Sequence, residues 1–352
     1  MSTPAYESAP TAPRIGEQEP LVKVRGLGKQ FNLSSGVFQN KQVVLSAVDD
    51  FSVDIFRGET LGLVGESGSG KSTIARLLLR LIEPTAGEVF YDGRNVYDLS
   101  GSDLRRLRSR MQIVFQDPFS SLNPRHSVGQ IVGEGIETGS SRERRARVAD
   151  LLDTVGLSQR HAERYPHEFS GGQRQRIGIA RALAVEPEFL ILDEPVSALD
   201  VSVQSKILNL LRHLKETFNL TYLFISHDLS VVKHIADRVA VLYLGQLMEL
   251  ATKDKLFESP LHPYTQALLS AVPTIGNDHG DGRIALTGEI PSPVNIPPVC
   301  RFVFRCFRSV DQCGAEIPEL AEVESGHDVR CFNWARLEDQ TAVPVAGESI
   351  DD

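Results

Sequence analysis

The sequence predicts an α/β fold with a largely parallel sheet covered by helices on both faces. Two patterns carry this expectation. Short apolar runs of strand length occur at 51–55, Thr60–Val64, 111–115, 189–192 and Thr221–Ser226. Between them lie helical faces: Val148, Leu151, Leu152 and Val155 recur at i, i+3, i+4, i+7, and Val203, Ile207, Leu210, Leu211 and Leu214 mark a second. Wholly apolar runs alternating with amphipathic helices suit strands buried on both faces. The length of 352 residues is a third constraint, since it exceeds one typical core and allows two or three compact units.

Taken in order, residues 1–20 carry neither the basic start nor the apolar centre of a signal peptide, and they read as a disordered tail. A globular region opens near Leu21 and runs to 258. The strand Thr60–Val64 feeds a glycine-rich turn and a helix over 71–81, and the run 111–115 ends at Gln116. Residues from about 118 to 185 read as a helical insertion, with one helix through Val148–Val155 and another after Gly172. Beyond Ser259 the chain is broken by Pro260, Pro263, Pro273, Pro291, Pro293, Pro297 and Pro298. Residues 259–337 therefore read as a small C-terminal module, and 338–352 as an acidic tail. There is no internal repeat.

Composition narrows the function classes. The chain is 41% hydrophobic and 24% charged, with a net charge of −9, so its overall balance does not favour nucleic acid. Two basic clusters, Arg105, Arg106, Arg108, Arg110 and Arg142, Arg144, Arg145, Arg147, read as solvated helix faces. No stretch approaches the ~20 apolar residues that span a bilayer. A cytosolic chain is expected, with any membrane role exercised through a partner.

Three motifs carry chemistry. Gly65-Glu66-Ser67-Gly68-Ser69-Gly70-Lys71-Ser72 fits the phosphate-binding loop G-x-x-x-x-G-K-[ST], and it lies between a strand and a helix as that motif requires. Its glycines let backbone N–H groups converge on an anion at a helix N-terminus. Lys71 reaches β- and γ-phosphates, and the Ser72 hydroxyl suits Mg²⁺. The run 189–192 ends in Asp193 and Glu194; the first suits the magnesium, the second a water to be oriented and deprotonated. Taken alone, such an acidic end is as often a solvated turn. Ser170-Gly171-Gly172-Gln173 opens a helix and makes a second anion-binding N-terminus, or no more than an N-cap.

With those residues in view, the chain resembles the ABC ATPases. Ser170-Gly171-Gly172-Gln173 resembles the family's signature motif and Gln116 its Q-loop glutamine. Ser197-Ala198-Leu199-Asp200 resembles the D-loop. His227, in Ser226-His227-Asp228, resembles the switch histidine, although a lone histidine after a strand is usually structural. The resemblance covers about 21–258. It implies an ABC-type nucleotide-binding domain: a RecA-like core, an antiparallel β subdomain and a helical subdomain at 117–185. It also implies a head-to-tail dimer. ATP on one chain's loop (Gly65, Ser67, Gly68, Gly70, Lys71, Ser72, Thr73) would be capped by Ser170, Gly171, Gly172 and Gln173 of the other, with Asp200 beside them. Gln116 would join Ser72 and Asp193 around Mg²⁺, and Glu194, His227 and Gln116 would form the catalytic set. The family stacks adenine on an aromatic upstream of the loop; Phe31 is the candidate and Phe38 the alternative, with a core role open for either.

Gln116-Asp117-Pro118-Phe119-Ser120-Ser121-Leu122-Asn123-Pro124, Leu199-Asp200-Val201-Ser202-Val203-Gln204 and His262-Pro263-Tyr264-Thr265-Gln266-Ala267-Leu268-Leu269 resemble the oligopeptide/dipeptide importer ATPases. That branch implies a second ATPase subunit (identical or a paralogue), two transmembrane permeases, and an extracytoplasmic substrate-binding protein. It implies a place on the cytoplasmic face of the cell membrane and no nucleic acid. Similar ATPases serve importers of nickel, glutathione or other small solutes. The alternatives are a soluble ABC ATPase acting on ribosomes or DNA, and a regulator that binds ATP but hardly hydrolyses it. The first usually pairs two cassettes or carries long inserts, and neither is present; Glu194 argues against the second.

Cys300, Cys306, Cys313 and Cys331 are the chain's four cysteines. In a cytosolic protein a structural disulfide set is not expected. A four-thiol set suits zinc or an iron–sulfur cluster, and the short C-x-x-C spacing of zinc ribbons is absent. Their positions resemble a C-terminal motif of peptide-importer ATPases, some of which carry a 4Fe–4S cluster. Cluster, zinc and free thiols all stay open.

Overall fold

The computed structural model describes residues 19–33, 43–117, 121–137, 140–272 and 284–337. Phe38, Pro118, Phe119, Ser120 and Pro273, residues 1–18 and the expected tail 338–352 lie outside the described residues. The chain divides into two compact units. One takes in the described residues up to Gly28 together with Asp50–Leu61 and Ser72–Ile225; the other holds Gly62–Lys71 and the described residues of 29–49 and 226–337.

The first strands are β1 (Val22–Asn32), β2 (Val44–Ile55), β3 (Thr60–Val64), β4 (Ala86–Tyr91) and β5 (Arg94–Asn95). A four-stranded sheet has the order β2-β1-β4-β5, with Val22 opposite Tyr91 and a bulge between Arg25 and Gly28. β2 starts seven residues before the apolar run at 51–55, because Ser46, Asp49 and Asp50 interrupt the apolar pattern that marks a strand. The helix Lys71–Leu78 stops short of the expected 81. Arg80 takes a left-handed φ of 49°, and the Arg80 and Leu81 N–H groups turn back to Leu77 and Arg76 carbonyls, a Schellman-type stop.

In the first unit β6 (Met111–Val114), β7 (Phe189–Asp193) and β8 (Thr221–Ser226) run parallel, Met111 opposite Phe189 and Ile191 opposite Leu223. Every residue of β7 and β8 is buried, which explains why both read as unbroken apolar runs. Parallel neighbours need a crossover. Between β6 and β7 the chain forms the helices Val128–Gly133, Ser141–Thr154 and Gly171–Leu183. Each starts with a reciprocal capping box: Ser127 with Gln130, Ser140 with Glu143, Ser170 with Gln173. Each cap contributes on the order of 1 kcal/mol by satisfying N–H groups that have no helical partner. Val148, Leu151 and Leu152 are buried, the face their spacing predicts.

In the second unit β9 (Arg238–Tyr243), β10 (Gln246–Thr252), β11 (Ala321–Glu324) and β12 (His327–Val329) are antiparallel, in the order β11-β12-β10-β9. Leu244 and Gly245, both at positive φ, make the two-residue turn from β9 to β10. The whole is the α/β arrangement expected.

Candidate nucleotide-binding site

The phosphate loop leaves the buried strand β3 and enters the helix Lys71–Leu78. Two glycines are dictated by space. A Cβ on Gly65 would stand 2.2 Å from the Leu242 carbonyl oxygen, and one on Gly70, whose φ is 105°, would stand 2.3 Å from that of Ala47. Lys71 is buried, and its Nζ donates to the Gly65 and Glu66 carbonyls at 2.7 and 2.9 Å and to Ser69 Oγ at 3.4 Å. The ammonium thus sits inside the ring of the loop. Ser67 and Gly68 are exposed at its rim.

Ser72 Oγ donates to Asp193 Oδ1 at 3.2 Å, joining the loop's last hydroxyl to the end of β7. Thr73 follows, half-buried. Glu194 stands next to Asp193 in a left-handed conformation, φ 47°, unfavourable for a residue with a Cβ and often found at functional sites. Its backbone is fixed on both sides: its N–H donates to the Ile225 carbonyl at 3.0 Å, and its carbonyl accepts from Ser197 Oγ at 3.1 Å. Gln116 Nε2 donates to Glu194 Oε2 at 2.8 Å. The structure therefore brings together Ser72 with Asp193 and Gln116 with Glu194.

The signature residues stand in the same unit. Ser170 is an exposed N-cap, and Gly172 is buried, where a Cβ would come within 2.5 Å of Val203 Cγ1. Gly171 has less restricted space, 3.3 Å from Leu199. Glycine at 172 is thus needed for close packing against the helix Val201–Phe218. Asp200 is that helix's N-cap, without a side-chain cap bond, and Gln204 Nε2 holds the preceding turn through the Val196 and Leu199 carbonyls.

His227 and Phe31 belong to the second unit. His227 is exposed at the end of β8, and Phe31 is half-buried near the end of β1 with Lys29 Nζ 5.0 Å from its ring centre. The four cysteines also belong there. They interact electrostatically with one another, and burial, their largest influence, pushes Cys300 up to about 11, Cys331 up to about 12, and Cys306 up as well. Among the described residues no three His, Cys, Asp or Glu side chains are grouped closely enough to hold a metal ion. Beside Cys300 and Cys306 in sequence, Arg301 Nε and Nη1 and Arg305 Nε are buried donors without a hydrogen-bond acceptor among the described residues.

One polar cluster escaped the sequence reading. Glu249, fully buried on β10, accepts from the Leu261 and His262 N–H groups at 2.7 and 3.0 Å and stands 2.7 Å from His327 Nε2. The only signal was one carboxylate inside the apolar stretch Leu247-Met248-Glu249-Leu250-Ala251.

A glycine-lined loop closed around a lysine, a hydroxyl bonded to a strand-end aspartate, and a glutamine on the neighbouring glutamate are the parts of a nucleoside triphosphatase. Residues 48–197 match the family described as ABC transporter, and residues 248–313 match the one described as oligopeptide/dipeptide transporter, C-terminal region. The oligopeptide transport ATP-binding protein AppF of Bacillus subtilis is 52% identical over 325 residues, 90% of this chain and 98% of the relative. Among solved structures, cbiO1 of Clostridium perfringens, part of the transporter complex cbiONQ, matches with a TM-score of 0.60 and 30% identity over 69% of this chain and 92% of that one. The ATP-binding cassette MJ0796, solved as a dimer in a post-hydrolysis state with ADP and Pi, gives 0.58 and 30% over 66% and 98%. The chain belongs to the ATP-binding subunits of ABC transporters, in their oligopeptide/dipeptide branch, and is an ATPase. Among the described residues no helix is long and apolar enough to cross a membrane.

Proposed function

We propose that this chain powers an importer of di- or oligopeptides, working as a dimer on the cytoplasmic face of the membrane against two permease subunits. The observation that carries the hydrolytic part is the double pairing at the end of β7, where Asp193 receives the Ser72 hydroxyl and Glu194 the Gln116 amide. Ser72, Asp193 and Gln116 would hold magnesium, which when bound neutralises charge on the phosphate oxygens. Lys71 and the loop N–H groups position the β- and γ-phosphates. Glu194 orients a water and takes its proton, while His227 faces the γ-phosphate and Phe31 the adenine. Ser170, Gly171, Gly172 and Gln173 act on the partner chain's nucleotide, with Asp200 alongside. Splitting the site across two chains makes hydrolysis depend on closure, because positioning dominates phosphoryl transfer.

AppF's description and the match over 248–313 support peptides as cargo, delivered by an extracytoplasmic binding protein. We further assign 21–258 to the ATPase domain, with 117–185 as its helical subdomain facing the permeases, and 259–337 to a C-terminal module. Four thiols are the right donors for an iron–sulfur cluster, with Cys300 and Cys313 buried and Cys306 and Cys331 half-buried. Among the described residues no three of them are grouped closely enough to hold one, so a cluster would have to draw them together. Such a group would neutralise the thiolates and tie the module's turns together.

Co-purification from the native membrane tests the assignment. Two permease-like proteins and a second ATPase subunit are expected. Recovery with ribosomes or DNA and no membrane partner would overturn the transporter reading. Iron and acid-labile sulfide analysis of anaerobically purified protein distinguishes cluster from zinc or free thiols.

A further inference from the structure

The phosphate loop carries its own negative charge. Glu66 is its second residue, and a carboxylate there opposes the binding of an anion a few ångströms away. Arg305, 239 positions later, answers it. Arg305 Nη1 donates to Glu66 Oε2 at 2.7 Å and Nη2 to Oε1 at 3.1 Å, a two-pronged bond between planar groups. The guanidinium side chain is only 7% exposed and the carboxylate 23%, so water screens the pair far less than it would a surface pair. A second clamp holds the backbone, where the Glu66 N–H donates to Tyr264 Oη at 3.1 Å.

Both clamps rest on one buried cluster. Phe302 packs against Tyr243, Tyr264 and His262 with ring centres 5.2, 5.3 and 5.7 Å apart, and His262 Nδ1 accepts from the Tyr264 N–H, starting the helix Pro263–Ser270. Arg305 closes a short turn whose two ends are cysteines. The Val303 N–H donates to the Cys300 carbonyl at 3.1 Å and the Cys306 N–H to the Val303 carbonyl at 3.4 Å. Whatever fixes Cys300 and Cys306 also fixes the base of the arginine that reaches the loop.

We propose that Arg305 is a positioning residue of the ATP site, through which the four-cysteine module sets the loop's affinity for nucleotide. The proposal rests on residues 65–72 binding ATP. Its core is charge compensation, so removing Arg305 leaves an unpaired carboxylate beside the phosphates, and removing the carboxylate as well relieves the defect.

The test uses the full-length chain, titrated with a fluorescent ATP analogue and Mg²⁺, with KM, kcat and thermal midpoint measured in parallel. Arg305→Ala is expected to weaken binding and raise KM about tenfold, the usual worth of a charge-assisted bond, with kcat changed less than about twofold. Arg305→Lys, which keeps the charge and loses the fork, is expected to fall between. Adding Glu66→Gln to Arg305→Ala should recover about fivefold or more of the lost affinity, which a merely structural role would not allow. Cys306→Ser should weaken binding with Glu66 and Arg305 intact and have no further effect in the double variant. Unchanged affinity in Arg305→Ala, or no recovery in the double variant, overturns the positioning role; unchanged affinity in Cys306→Ser overturns the link to the cysteines. Lys71→Ala separates the two readings, because full nucleotide affinity in that variant would overturn the loop assignment itself.

Discussion

Replacing Glu194 by glutamine separates the proposed base from the scaffold that holds it. Glu194 is half-buried, its backbone is pinned through the Ile225 carbonyl and Ser197, and its carboxylate accepts from Gln116 Nε2 at 2.8 Å. The new amide oxygen can accept that same bond. Even if the bond were lost outright, about 1 kcal/mol would follow, roughly fivefold in rate. Loss of a general base slows the chemical step by about 10²–10⁴-fold, or about 3–5 kcal/mol. The base term therefore dominates. E194Q is expected to bind MgATP with the affinity of the parent chain, to turn over at least about a hundredfold more slowly, and to elute as a dimer when MgATP is present. Steady-state phosphate release, fluorescent nucleotide titration and size-exclusion chromatography read the three outcomes. A kcat within about tenfold of the parent at equal affinity would refute the assignment, because a lost hydrogen bond alone accounts for that much.

Lys71→Ala removes the ammonium that bridges the Gly65 and Glu66 carbonyls and the proposed phosphate contact, so nucleotide affinity should fall about 10–100-fold, measured by the same titration. Glu249→Ala leaves His327 and two buried N–H groups without their acceptor; chemical denaturation should show about 3–5 kcal/mol lost, and a change below about 1 kcal/mol would contradict the buried pairing. Stability should also depend on pH through His262, which burial holds down to about 4 against an ordinary 6.5, with Glu249 acting in the opposite direction. The unfolded chain binds the proton more readily, so this contribution is complete above pH 6.5 and is lost as pH falls toward 4, up to about 3 kcal/mol. His262→Asn, which keeps an N-cap acceptor, should flatten that slope in denaturation series across the same window.

The parallel strands and their helices were legible because burial on both faces leaves an unbroken apolar run and a covering helix leaves its period. β9 and β10 were less so, since β10 carries Glu249 and Gln246 inside its buried run and β9 begins on Arg238. β11 is mostly exposed and β12 has three residues, too little for any periodicity. The site divides the same way. Residues that must meet a phosphate or a metal lie in short local motifs, because a turn and the adjoining helix start supply the geometry: Gly65 to Ser72 is one turn, Asp193 and Glu194 one strand end. Both pairings need the sheet: the resemblance placed Ser72 and Asp193 together around magnesium, whereas the bond from Gln116 to Glu194 came only from the structure.

Compensation is different in kind. Glu66 and Arg305 are 239 residues apart, and Glu249 and His327 are 78 apart. Each pair arises because a carboxylate removed from water must find a donor, and the donor is whichever one the fold brings near. A motif records what the ligand requires of the loop, and it is silent on what the loop requires of the rest of the chain. That explains why His262-Pro263-Tyr264 and the cysteine-flanked Arg305, which lie far from the loop in sequence, both end on Glu66 or on the helix that reaches it. On this reasoning the C-terminal region of this chain supports the phosphate loop by direct contact, and variants at Glu66 and Arg305 should be tolerated in pairs more readily than singly.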